Sequence, residues 1–119
     1  MILLHGTTRM RAERILQQGP QTRFHEPSGQ TWDEGFSLCL GAGPFLFGTP
    51  EEYARGKAKQ FPDEGGPVIL VIDVPPDIIA RATNEWFPLS QGLVQFDPGA
   101  GLEELVSAWP TLDKRVQDL

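Results

Sequence analysis

An α/β fold of the α+β kind, with two to three helices on a small mixed, partly antiparallel sheet, is predicted by three observations in the 119 residues. The first is an apolar run, Val68-Ile69-Leu70-Val71-Ile72-Asp73-Val74, stopped by Pro75-Pro76. The second is a capping signature, Thr49-Pro50-Glu51-Glu52, ahead of a stretch with helical period. The third is an apolar N-terminus that runs into another helical stretch closed by Gly19-Pro20. Strands and helices following one another in this way bury their apolar faces by stacking helices on a sheet.

Met1 to His5 reads as a short strand. Thr7 or Thr8 caps a helix over roughly residues 9–18, in which Ala12, Ile15 and Leu16 share a stripe and Gly19 ends the helix. Residues 21–34 are polar, with Pro27, Ser28 and Gly29, and read as loop. Residues 35–48 are apolar, carry four glycines and lack a helical period, which predicts one or two short strands. At Thr49 the side chain can accept from the backbone three residues on while Glu52 reaches back, and Pro50 suits the first helical position. The helix then runs to about Phe61, with Tyr53, Ala54, Ala58 and Phe61 on one side. The apolar run at 68–74 predicts a strand covered on both faces. Pro76-Asp77-Ile78-Ile79 reads as a helical turn and residues 84–91 as a loop. Gly92 to Phe96 reads as a strand, and Gly101 to Trp109 as a helix turning Leu102, Leu105 and Trp109 inward.

The composition sets bounds on function. A chain of this length holds one domain and buries roughly two-thirds of its unfolded surface. One cysteine, Cys39, lies in the apolar run Phe36 to Leu40, so it forms no internal disulfide and reads as a buried, inert thiol. Met1 to Leu4 is too short and too soon polar for a signal peptide. No stretch approaches the roughly eighteen apolar residues of a membrane span, so a cytoplasmic protein is expected. The net charge is −6, with +2 on residues 1–31 and −8 on the rest. No broad basic face is available for duplex nucleic acid, although the arginines near the N-terminus suit a small anion such as a nucleotide diphosphate. His5 and His25 are the only histidines, so a histidine-rich metal site is excluded, and no metal is expected. Gly41-Ala42-Gly43 lacks the third glycine of a dinucleotide fingerprint.

What remains is an ordered set: Leu4-His5-Gly6-Thr7 at the end of the first strand, a helix closed by Gly19, then Gly43-Pro44-Phe45-Leu46-Phe47 running into the helix from Thr49 to Ala58, then the strand Val68 to Val74. This order, over roughly residues 2–98, resembles the ADP-ribosyltransferase superfamily, in the branch whose three motifs are His, Tyr and Glu. The resemblance implies a single ADP-ribosyltransferase-like domain over residues 1–119, with NAD as substrate. It implies that His5 bonds a ribose hydroxyl on the adenosine side, with Gly6 and Thr7 beside it, and that the Gly6 backbone meets the nicotinamide carboxamide. Phe45, with Phe47 as neighbour, takes the place of the second motif's tyrosine, keeping a stacking ring without its hydroxyl. The third motif's carboxylate falls in residues 91–96, where none is present. Gln91 and Gln95 lie on one face there, are expected to turn toward His5, and can bond a ribose hydroxyl without acting as a base. Glu85 is the nearest acid and the other candidate for that role.

The function these features imply is NAD binding with transfer of ADP-ribose or hydrolysis of NAD. The alternative is a non-catalytic module that binds a nucleotide, ADP-ribose or a protein partner, of the immunity or antitoxin type, whose acidic charge suits a basic partner. The plain structural readings stand beside these. His5 is then a packing histidine, Phe45 and Phe47 are core residues, and Gln91 and Gln95 are exposed strand residues.

Overall fold

The computed structural model describes residues 1–20, 36–41, 43, 48–82 and 92–119. The expected loops, Phe45, Phe47, Glu85 and Gln91 lie outside the described residues. In chain order the elements are β1 (Ile2–Thr8), α1 (Arg9–Gln18), β2 (Phe36–Cys39), α2 (Pro50–Gln60), β3 (Pro67–Asp73), α3 (Pro76–Ile79), β4 (Leu93–Phe96), α4 (Leu102–Ala108), a 3-10 turn (Trp109–Thr111) and β5 (Lys114–Asp118).

The strands form one sheet in the order β4-β2-β1-β3-β5. Every pairing among the described strands is antiparallel, so the expected mixed sheet is corrected to an antiparallel one. Among the described residues four α-helices stand where two to three were expected, and β5 is an element the sequence did not announce. β1 also runs three residues beyond His5, because Gly6, Thr7 and Thr8 pair with Ile69, Val68 and Pro67.

The register sorts the side chains. On β1, Leu3, His5 and Thr7 share one face and Leu4, Gly6 and Thr8 the other. The first face carries the main core, in which Leu3, Phe36, Leu38, Leu70, Ile72, Val94 and Phe96 pack with Ile15 of α1, Ile78 and Ile79 of α3, and Leu102 and Leu105 of α4. Each such burial contributes on the order of 1.5–3 kcal/mol. The second face receives α2, with Ala54 against Ile69, Val71 and Leu4. β3 is thus covered on both faces, as its unbroken apolar run predicts.

Two capped helices flank the sheet. Thr8 caps α1, its hydroxyl accepting from Arg11 N–H at 3.4 Å, and Gly19 closes the helix at φ 84°. The next free N–H groups of α1, on Arg9 and Met10, donate to the carbonyls of Gly66 and Glu64, each at 3.0 Å. The Glu64 carboxylate accepts from the Thr8 hydroxyl at 2.8 Å and from Arg11 Nε and Nη2 at 2.8 and 3.3 Å. Arg11 also lies 4.1 Å from the centre of the Phe61 ring. Arg9 pairs with Asp118 and with Glu13. Two of the arginines expected to attract an anion are therefore partnered within the protein. At α2, Glu52 N–H donates to Thr49 Oγ1 at 3.1 Å with Pro50 at the first position. The Thr49 hydroxyl in turn donates to Glu52 Oε1 at 3.2 Å, where a reach back to the backbone was expected. Ala54 is buried, whereas Tyr53, expected beside it, is exposed.

Candidate site at the parting of two strands

β2 lies between β1 and β4. Leu40 N–H donates to Gly92 O at 2.9 Å. By alternation Phe36 and Leu38 also turn their backbone groups toward β4, and Ser37 and Cys39 turn theirs toward β1. β1 pairs with β3 along its whole length but with β2 at Leu4 opposite Cys39, with no further pair among the described residues. The Ser37 carbonyl therefore points at β1 beyond the last ladder pair, and a side chain takes it: His5 Nδ1 donates to Ser37 O at 2.8 Å.

The imidazole is gripped on a second side. Its ring centre lies 4.6 Å from that of Phe36, tilted by 35°. Phe36 meets Trp109 edge-on, at 6.4 Å and 84°. Trp109 Nε1 donates to Leu16 O at 3.1 Å, and Lys114 Nζ donates to Trp109 O at 2.7 Å while standing 5.6 Å from the indole centre. A row of rings thus ties His5 to the end of α1 and to the segment joining α4 to β5.

Gly6, next to His5, faces α2. A Cβ there would stand 2.0 Å from the Pro50 carbonyl oxygen and 2.9 Å from Ala54 N. The close approach that requires glycine is therefore to the first turn of α2. Thr7 and Thr8 are fully buried.

Gln95 is parted from His5. It stands opposite Ser37 on β4, and the register through Cys39 and Leu4 puts it on the α2 face, while His5 is on the main-core face. It is buried, its Oε1 accepts from the Ser37 hydroxyl, and its Nε2 donates to Asp97 Oδ1 at 2.8 Å. The expectation that it turns toward His5 is corrected. Its amide satisfies buried polar groups between neighbouring strands, which any inward-facing glutamine must do.

Cys39 is buried on that same face, and burial pushes its thiol up to about 11, well away from a reactive thiolate. Partial desolvation of a side chain that is otherwise exposed, followed by the electrostatic influence of Cys39 and Glu52, also raises the Tyr53 phenol. Among the described residues no group of His, Cys, Asp and Glu is placed to hold a metal ion, and no helix is long and apolar enough to cross a membrane.

Of the residues predicted from the sequence, His5, Gly6 and Thr7 lie together on one strand, and Gln95 lies across the sheet from His5. Phe36 and the Ser37 backbone were missed. Phe36 read as part of an apolar run, and only the register of β1 on β2 brings it to the imidazole. Comparison with known proteins gives no matching family model, no matching characterised protein and no matching solved structure.

Proposed function

We propose that this chain is an ADP-ribosyltransferase-like domain that binds NAD, with His5 bonding a ribose hydroxyl on the adenosine side. The observation that carries this reading is the fixing of His5 where β1 and β2 part, by the Ser37 carbonyl on one side and the Phe36 ring on the other. A histidine that orients a ligand hydroxyl gains from being held in a single geometry before the ligand arrives.

Release of nicotinamide breaks the bond from its ring nitrogen to the ribose. The base leaves with the bonding electron pair, positive charge builds on the sugar, and water or an acceptor group adds there and gives up a proton. A carboxylate near that sugar favours the charge, by on the order of 10²–10³ in rate. Gln95 is engaged with Ser37 and Asp97 on the other face, so the role falls to Glu85, with Gln91 as the neutral alternative. Phe45, with Phe47, would supply the ring under the nicotinamide.

The engagement of Gln95 also favours a second reading, a non-catalytic module that keeps the nucleotide and has lost the acid. A nicotinamide assay on the parent, Glu85→Gln and Gln91→Glu separates the two. Release by the parent that Glu85→Gln abolishes and Gln91→Glu leaves unchanged makes the chain an NAD-cleaving enzyme with Glu85 as its acid. NAD binding without release by the parent, together with release gained by Gln91→Glu, establishes the non-catalytic reading.

A further inference from the structure

We propose that β5 is an association edge, on which a second copy of this chain lays its own β5 antiparallel about a two-fold axis. The inference is independent of the reading of His5.

β5 ends the sheet, and among the described residues no strand lies beyond it. Its ladder to β3 fixes which backbone groups are already used. Asp73 N–H donates to Asp113 O at 2.9 Å, so by alternation Arg115 and Gln117 turn their backbone groups toward Val71 and Ile69 of β3. Lys114, Val116 and Asp118 therefore turn theirs away from the sheet, where their N–H and C=O groups are open to a further strand.

The side chains select which strand fits. Lys114, Val116 and Asp118 share one face of the sheet, and Arg115 and Gln117 share the other. Charges on an edge discourage pairing with most strands. This strand, however, is complementary to its own reverse. With Val116 set against Val116 of the other copy, Lys114 stands opposite Asp118 and Arg115 opposite Gln117, on both sides of the axis. A parallel copy would instead bring like charges together. The side chains have capacity for this. Lys114 Nζ donates to the carbonyls of Trp109 and Leu112 and keeps a further hydrogen. Asp118, although paired with Arg9, is exposed. Arg115 donates to Gln117 Oε1 at 3.2 Å within the strand, a pairing that the second copy repeats across the axis.

Sedimentation equilibrium over a concentration series tests the association. The parent should form a dimer with a Kd below about 1 mM, the weak end of specific association. A monomer throughout, or species that grow beyond a dimer, overturns the proposal. Lys114→Asp and Asp118→Lys each set like charges opposite one another, and each should weaken the dimer about tenfold. An equimolar mixture of the two should restore it, because each variant then offers the charge the other lacks. A mixture that stays monomeric while both variants are folded by circular dichroism overturns the register. Amide exchange on the parent needs no variant. At concentrations on either side of the Kd, Arg115 and Gln117 should be protected throughout, while Val116 gains protection only in the dimer. A dimer whose formation leaves Val116 exchange unchanged places the interface elsewhere and overturns the proposal.

Discussion

A Cβ on Gly6 would stand 2.0 Å from the carbonyl oxygen of Pro50, far inside contact distance and against backbone that cannot swing away. Gly6→Ala must push the first turn of α2 off the sheet, and should cost about 1–3 kcal/mol in a denaturant titration. An unchanged midpoint would mean that α2 does not lie on Gly6. The residue scale also shows how far the sequence reached toward the site. His5 was legible because a histidine before Gly-Thr is an unusual polar insertion in an apolar stretch, although β1 continues past it to Thr8. The glycine was legible as a place of close approach, but the approaching partner is α2, which a linear reading cannot identify. Phe36 carries no mark that separates it from Leu38, and its contact with His5 follows from the strand register alone. Gln95 misled for the same reason. Its parity within β4 was read correctly, but which face of the sheet that parity meets depends on how β4, β2 and β1 are stacked.

Elements with strong local chemistry were the legible ones. Thr8 and Gly19 bound α1, Thr49 and Pro50 open α2, and the apolar run gives β3. Thr49→Ala removes the oxygen that accepts from Glu52 N–H, and should cost about 0.5–2 kcal/mol, read as a lower denaturant midpoint. No change would contradict a helix start at that residue. β5 escaped because Lys-Arg-Val-Gln-Asp offers one apolar side chain and no alternation. It is a strand because β3 presents an edge for it to pair with, from Val68 opposite Asp118 to Ile72 opposite Lys114. Strand direction was equally silent. A run buried on both faces suggests parallel neighbours, yet β3 is covered by α2 on one side and the main core on the other while both its neighbours run antiparallel.

Across the molecule, the joint between α1 and the turn before β3 is electrostatic. The Arg11 hydrogen bond holds the Glu64 carboxyl below its ordinary value of 4.5, with the Thr8 hydroxyl and the positive charge of Arg11 and Arg14 acting in the same direction and burial opposing them. A group lowered on folding adds stability that is complete above its unfolded value and is lost as the pH falls through its folded value. Glu64→Gln should therefore be less stable than the parent near neutral pH, with the difference shrinking as the pH is taken below 4.5. Denaturant titrations across that range check it, and a difference independent of pH would contradict the ion pair. The same joint seats the start of α1 directly after the strand that bears His5, so the rigidity of the site and the stability of the fold share their anchors.

The central claim is that this sheet holds His5 ready for NAD, and calorimetric titration of NAD into the parent and into folded His5→Ala tests it most directly. The account predicts measurable binding to the parent, weakened by about 1–3 kcal/mol in the variant, the cost of leaving a ligand hydroxyl without its partner. Equal affinity for the two proteins, or no heat of binding with the parent, would contradict it.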